Sequence, residues 1–337
     1  MSVSTRNSRS TRNSPQHRAR PLRRRLVAAV SGIAAAVSLG AFGIVTHQAT
    51  ATPAGSSATP AASEADEQVG PPQKTFAEAT AYALTHPAAV PTGANDWACT
   101  PSAEHPRPVV LVHGTFENRY MNWAGLAPKL KDAGYCVYAL NYGGKEGGLL
   151  QGIGDMAESA AQLSAFVDKV RERTGSSRVD LVGHSQGGGV MPRHYIKNLG
   201  GAAKVDKLVA LSPNNHGTTL SGLATLAKAI PGAGDLTGAA CPACMQQTTG
   251  SDFVTALKEG GETDPAVDYS VLATRTDWVV TPYTSSYLAD ADNVTQSKLQ
   301  DHCPLDLTEH LGLSYNKTAT RFVLNALDPA HAEKLTC

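Results

Sequence analysis

Gly183-His184-Ser185-Gln186-Gly187 decides the reading of this chain. The five residues follow a strand-like apolar run, Val179 to Val182, and precede a stretch with helical spacing from about Gly188 to Leu199. A G-x-S-x-G between strand and helix makes a turn too sharp for bulky neighbours. Glycines at 183 and 187 carry no Cβ, so backbone segments can approach closely and a strained φ/ψ is tolerated at the serine. The hydroxyl is then lifted out of the sheet edge above a helix N-terminus, whose dipole favours negative charge. The bland alternative is a serine that only caps a helix. The surroundings decide between the two.

Working outward, Val109-Val110-Leu111-Val112 is a continuous apolar run, as a strand buried on both faces should be. Tyr135 to Asn141, Arg178 to Val182, Val205 to Leu211 and Val267 to Thr274 read as further strands, with Asn293 to Leu299 as a candidate sixth. Helices are expected over Thr75 to Thr85, Asn122 to Ala133, Asp155 to Thr174, the segment after Ser185, and Ser314 to Leu327. Pro192 should bend the helix after Ser185 by removing a backbone donor. The alternation implies a mainly parallel central sheet with helices on both faces. Between Pro213 and Pro265 it stops, leaving a Gly-, Ala-, Thr- and Ser-rich stretch in which only Leu220 to Ile230 is an amphipathic helix candidate. So long a stretch without a strand inside a compact domain reads as an insertion, either a surface excursion or a cap (lid) over a site.

The first part of the chain reads as a targeting segment. It holds eight arginines (positions 6, 9, 12, 18, 20, 23, 24 and 25) and no acidic residue, then an apolar run from Leu26 to Val45, then Ala49-Thr50-Ala51 as a cleavage site. Residues 1–51 are therefore expected to be a signal peptide, with Arg23-Arg24-Arg25-Leu26-Val27 fitting a twin-arginine pattern. The rival is a membrane anchor, which the Ala, Gly and Ser content of the run argues against. Residues 52–73 have the composition of a disordered linker, and 74–337 that of the folded domain with its insertion at about 213–265. The whole chain has 29 basic and 29 acidic residues; without the eight leader arginines, 21 basic face 29 acidic, a net of about −8. That balance argues against nucleic acid and anionic membrane surfaces as partners. The expectation is a secreted, extracellular monomer with no membrane span after processing.

Six cysteines (99, 136, 241, 244, 303 and 337) all lie in the mature part. An even count in an exported chain reads as three disulfides. Sequence proximity and element order favour Cys99–Cys136, Cys241–Cys244 and Cys303–Cys337. Zinc at Cys241-Pro-Ala-Cys244 is disfavoured, because a structural site needs four ligands and the chain has no second C-x-x-C.

Acyl transfer needs a nucleophile, a base, a group to orient that base, and donors for an oxyanion. A strand–G-x-S-x-G–helix unit is the nucleophile elbow of α/β-hydrolases, whose partners follow in the order Ser, Asp, His. Ser185 is the candidate nucleophile. Asp277, in the loop after the fifth strand, is the candidate acid; Asp290 and Asp292 lie in a more polar stretch and read as solvated. His310 leads into the last helix and is the candidate base, with His302 as rival and His331 past the helix. His113-Gly114-Thr115 follows the first strong strand, where such folds place one oxyanion donor; the other follows the nucleophile. Thr115 and Gln186 are thereby nominated through their backbone N–H groups. His113 itself falls too early for the base and reads as structural.

These stretches resemble the small secreted bacterial lipases of class 2 within the α/β-hydrolase family. The resemblance rests on Val112-His113-Gly114-Thr115, Gly134 to Tyr142, Gly183 to Gly187, Asp277 with Val279-Val280-Thr281-Pro282, and His310. It implies a triacylglycerol lipase with Ser185, Asp277 and His310 as triad, and it supports the disulfide pairing above. The run Gly187-Gly188-Gly189 departs from relatives that carry a bulkier third residue. The expected partner is an ester or lipid substrate, met at a lipid–water interface, with no metal or organic cofactor. The alternatives are a short-chain carboxylesterase or polyester (cutin) hydrolase, a serine peptidase of the same fold, and a non-catalytic binding protein on that fold.

Overall fold

The computed structural model describes residues 67–234 and 240–337. The expected signal peptide and most of the expected linker lie outside them. In chain order the elements are β1 (Val69–Gly70), α1 (Phe76–Ala83), β2 (Val90–Pro91), β3 (Val109–Val112), α2 (Arg119–Trp123), α3 (Leu126–Asp132), β4 (Val137–Ala139), α4 (Met156–Thr174), β5 (Val179–His184), α5 (Val190–Asn198) and β6 (Val205–Leu211). There follow α6 (Leu220–Ala229), α7 (Pro242–Gln246), α8 (Asp252–Ala256), β7 (Asp268–Ala273), β8 (Val294–Lys298), α9 (Leu299–His302) and α10 (Lys317–Leu327).

Six strands form one sheet in the order β4-β3-β5-β6-β7-β8, and every pairing is parallel. The apolar runs are continuous because both faces are covered. Val110, Val112, Leu181, Leu208 and Val271 pack on one side with Leu163, Val167 and Val170 of α4 and Tyr195 of α5. Val109, Leu111, Val182, Val209 and Leu272 pack on the other with Leu126 and Leu130 of α3 and Phe322 and Val323 of α10. The chain moves outward from β3 to β4, then returns to the other side of β3 as β5. That reversal is the switch point at which open α/β sheets leave a crevice beyond the strand C-termini. The loops after β3 and β5 border it.

Local chemistry explains the element ends. Asp155 caps α4, its Oδ1 accepting from the N–H groups of Ala157 (2.8 Å) and Glu158 (3.1 Å), and Gly175 at φ 70° ends it. The single helix expected over Asn122 to Ala133 is instead two, broken at Ala124-Gly125. A Cβ on Gly125 would stand 2.6 Å from the Tyr315 ring, so tertiary packing sets that break. Pro192 does not bend α5, because it is the third residue of that helix, where its missing N–H would have had no helical acceptor. Residues 67–73, assigned to the linker by composition, belong to the fold. Val69–Gly70 pairs with Val90–Pro91, and Glu67 meets Arg119 at 2.8 Å.

Three disulfides are present, with Cα–Cα distances of 5.8 Å (Cys99–Cys136), 5.3 Å (Cys241–Cys244) and 5.4 Å (Cys303–Cys337). The described residues of the 213–265 stretch carry α6 near the expected helix, and α7 and α8 besides. Leu223, Leu226 and Ile230 from α6 and its end, Ala243 of α7 and Val254 of α8 form a cluster with Phe116, Met121, Val190, Val279 and Leu311. Its far end is tied to α5. The buried Arg193 guanidinium donates to the carbonyls of Asn215 (2.9 Å) and Glu262 (2.9 Å), and Lys197 to that of Leu257 (2.6 Å).

Gly187 tests the packing at the switch point. A Cβ there would lie 2.2 Å from the His113 carbonyl oxygen and 2.3 Å from that of Val112, both backbone atoms. Gly187→Ala is expected to lower stability by about 3 kcal/mol or more in urea denaturation. An unchanged midpoint would contradict this packing.

Candidate active site

Ser185 ends the run of β5 and opens a short 3₁₀ turn, Ser185–Gly187, that leads into α5. Its φ is +55°, a conformation that L residues adopt rarely and at a cost of about 1–3 kcal/mol. The turn survives because the chain crosses itself where side chains are absent. A Cβ on Gly183 would meet the Gly187 carbonyl oxygen at 2.0 Å. The loop after β3 lies against the same serine, since a Cβ on Gly114 would sit 3.1 Å from Ser185 Cβ.

Asp277 and His310 come from separate loops and meet. His310 Nδ1 lies 2.8 Å from Asp277 Oδ2, and both side chains are buried. Asp277 Oδ1 accepts from the N–H groups of Val279 and Val280, each at 2.8 Å. Burial opposes the charge on Asp277, but His310 and these donors outweigh it and hold the carboxyl below its ordinary value. A carboxylate on Nδ1 leaves the ring's chemistry to Nε2. That nitrogen is buried and makes no hydrogen bond among the described residues, to Ser185 Oγ or to any other atom. The ring stands beside the serine turn, its centroid 4.7 Å from that of His184. His302 instead faces Ser297 Oγ (3.2 Å), and His331 pairs with Asp328 at the surface (2.8 Å). Asp290 accepts from Gln296 (3.3 Å).

Thr115 and Gln186 face one another, the threonine hydroxyl donating to Gln186 Oε1 at 2.8 Å. A residue that sequence reasoning missed completes this group. Gln247, at the end of α7, donates to Thr115 Oγ1 (3.0 Å) while its own Oε1 accepts from Asn214 Nδ2 (2.8 Å). It is buried, although it belongs to the 213–265 stretch. Nothing local in Cys241-Pro-Ala-Cys244-Met245-Gln246-Gln247 marks it. Ser185 itself is only 2% exposed. Among the described residues, no group of three or more His, Cys, Asp or Glu side chains is arranged to hold a metal ion, and no helix is long and apolar enough to cross a membrane.

Two further buried groups flank the serine turn. His113 gives its Nδ1 to the Gly114 carbonyl (2.8 Å) and stacks on Tyr142, with centroids 4.3 Å apart. Glu117 lies 3.3 Å from His184 Nδ1. Burial opposes protonation of His184, but Glu117 and the His310 carbonyl outweigh it, so its affinity for a proton is raised.

A serine on a strained turn at the switch point of a parallel sheet, with a buried carboxylate–imidazole pair beside it, defines the α/β-hydrolase class. Within that class the chain belongs to the lipase (class 2) family, whose sequence profile matches residues 106–322. It is 32% identical over 146 residues to lipase B of Pseudozyma antarctica, a match covering 41% of this chain and 39% of that protein. Over 86 residues it is 38% identical to a triacylglycerol lipase of Pseudarthrobacter phenanthrenivorans, covering 24% of this chain and 25% of the relative. The chain thus spans about two fifths or less of the length of these relatives. Among solved structures, Aspergillus fumigatus lipase B superposes with a TM-score of 0.56 at 23% identity, covering 70% of this chain and 56% of that one. Bacillus licheniformis lipase BlEst2 in mature form gives 0.53 at 18% identity, covering 67% and 94%. At those identities the superpositions speak to the fold.

His113 supplies a pH test. Burial, set against its bond to Gly114, pushes its pKa down from 6.5 to about 4. Between those values the unfolded chain binds a proton that the folded chain does not. The stability is therefore fully present above pH 6.5 and is lost as pH falls toward 4, by about 3 kcal/mol. His113→Asn keeps a donor for Gly114 but cannot titrate. Its urea midpoint should fall less than that of the wild type between pH 7.5 and 4.5; equal falls would contradict the assignment.

Proposed function

We propose that this protein is an exported serine hydrolase of carboxylic esters, acting on triacylglycerols through an acyl-enzyme. The observation that carries the reading is the His310 ring, fixed at Nδ1 by buried Asp277, unbonded at Nε2 among the described residues, and 4.7 Å by ring centroids from His184, the residue before the strained Ser185. In the first half-reaction Nε2 takes the Ser185 proton as Oγ attacks the ester carbonyl. Asp277 holds the tautomer and stabilises the imidazolium that results. The N–H groups of Thr115 and Gln186 receive the oxyanion, where loss of one donor commonly costs about 2.7–4 kcal/mol. The imidazolium returns its proton to the departing alkoxide, and the diacylglycerol leaves. In the second half-reaction His310 draws a proton from water as that water attacks the acyl-enzyme carbonyl; the acyl–Oγ bond then breaks, the imidazolium returns its proton to Ser185 Oγ, and the fatty acid is released.

The choice of an acylglycerol substrate draws support from three sources. The family is one of lipases, and one relative bears the name triacylglycerol lipase. Leu223, Leu226, Ile230, Val279 and Leu311 form a buried apolar cluster with Phe116, so that it includes the immediate neighbours of Thr115 and His310, and such side chains are what an acyl chain needs. Ser185 is buried, and the 213–265 stretch, whose Gln247 bonds Thr115, fits the role of a cap that shifts to admit substrate. Three disulfides fit an oxidising destination.

The test compares emulsified triglyceride with dissolved p-nitrophenyl esters of increasing chain length. Wild-type protein should hydrolyse emulsified triglyceride. Ser185→Ala and His310→Ala should each lose about 10⁴-fold or more in kcat without unfolding. Activity confined to acetate and butyrate esters would replace the lipase by a short-chain esterase. His310→Ala with most of its activity intact would remove that residue as the base.

A further inference from the structure

His184 has no part in the chemistry above, yet it is buried between the three loops that carry it. Its Nε2 lies 3.0 Å from the carbonyl oxygen of His310. A carbonyl can only accept, so Nε2 bears the proton and donates. The opposite nitrogen, Nδ1, lies 3.3 Å from Glu117 Oε2 and 3.1 Å from Asn122 Nδ2; protonated it donates to Glu117, and without a proton it accepts from Asn122. Glu117 and Asn122 both also receive the Gly114 N–H, at 3.4 Å and 3.1 Å. All four of these residues other than Gly114 (Glu117, Asn122, His184 and His310) have no solvent exposure.

We propose that His184, held by Glu117, is a positioning residue that sets the aim of His310 Nε2 toward Ser185 through the His310 backbone carbonyl. This rests on the ester-hydrolase reading above. The stretch before His310 is held by hydrogen bonds more than by apolar packing: Leu305 and Leu307 are 91% and 71% exposed, while the Thr308 carbonyl accepts from the hydroxyls of Thr274 (2.8 Å) and Thr276 (2.7 Å). Asp277 grips the imidazole at one point only, Nδ1, and a ring held at one nitrogen can still swing. The carbonyl tether adds a second point, on the backbone of the same residue. The tilted contact of the two imidazoles, at 42° between planes, limits rotation further. Because His184 is the residue before the nucleophile, any displacement of the serine turn moves its tether to the base with it. One brace thereby links the loop bearing Thr115, the turn bearing Ser185 and the loop bearing His310.

Two amides separate this role from a general structural one. In His184→Gln the side-chain nitrogen falls where ring Nε2 stood and can still donate to the His310 carbonyl. In His184→Asn it falls where Nδ1 stood, toward Glu117, and cannot reach that carbonyl. His184→Gln should keep kcat close to wild type. His184→Asn should lose about 10²-fold in kcat at unchanged KM, the scale for a catalytic group displaced by about 1 Å. Equal kcat in the two variants, or a loss in KM alone, overturns the proposal. A second pair approaches from the other end and guards against a folding defect at 184. Glu117→Gln keeps an acceptor for the ring and should retain kcat, whereas Glu117→Leu should lower it at unchanged KM; wild-type kcat in Glu117→Leu also overturns the proposal. If the wild-type protein itself hydrolyses no ester, the functional reading fails and not the brace alone.

Discussion

The constraint on which the rest depends is a close crossing of backbone at the centre of the sheet. Gly183 and Gly187 face one another, and Gly187 faces the end of β3, at separations where a Cβ would stand 2.0–2.3 Å from carbonyl oxygens. No rotamer change relieves such a contact, because the atoms in the way are main chain. The crossing lets β5 turn abruptly into α5 and forces Ser185 to φ +55°. The strain there is balanced by two fully packed faces of the sheet. The reversal of strand order from β3 to β5 marks the switch point, and this serine stands there, directly after the C-terminal end of β5.

Around that turn the polar groups are arranged in pairs that hold each other. Asp277 is kept ionised by His310 and two backbone donors. Thr115, Gln186 and Gln247 share hydroxyl and amide bonds across three separate parts of the chain. Glu117 and His184 form a buried acid–imidazole contact whose opposite nitrogen reaches the His310 backbone. Buried networks of this kind rigidify when satisfied and are costly when broken. The unpartnered groups are therefore informative. His310 Nε2 is a buried ring nitrogen without a hydrogen bond among the described residues, which leaves it free for the proton transfer proposed above.

Much of the sheet was legible because parallel strands covered on both faces read as unbroken apolar runs, as in Val109 to Val112 and Val205 to Leu211. The lipase (class 2) match covers the stretch in which those runs and the G-x-S-x-G motif lie. Asp277 and His310 could be picked as candidates by order alone, since each falls in a loop beyond the strand C-termini. Other features depend on distant partners and left no local trace. The break at Gly125 answers to the Tyr315 ring, about two hundred positions away. Gln247 earns its place through Thr115, 132 positions earlier. β1 and β2 are two residues each, too short for any periodicity, and composition alone put residues 67–73 in a linker. Glu117 and His184 look like an ordinary loop acid and a free motif position until the fold brings them together.

The central claim is that Ser185 Oγ is made nucleophilic by the imidazole that Asp277 steers. Peptide mapping after reaction with a fluorophosphonate tests it without assuming a substrate. The account predicts a single covalent adduct on Ser185, formed much more slowly in His310→Ala than in the wild-type protein. An adduct on another residue, no adduct, or an unchanged rate in His310→Ala would contradict it.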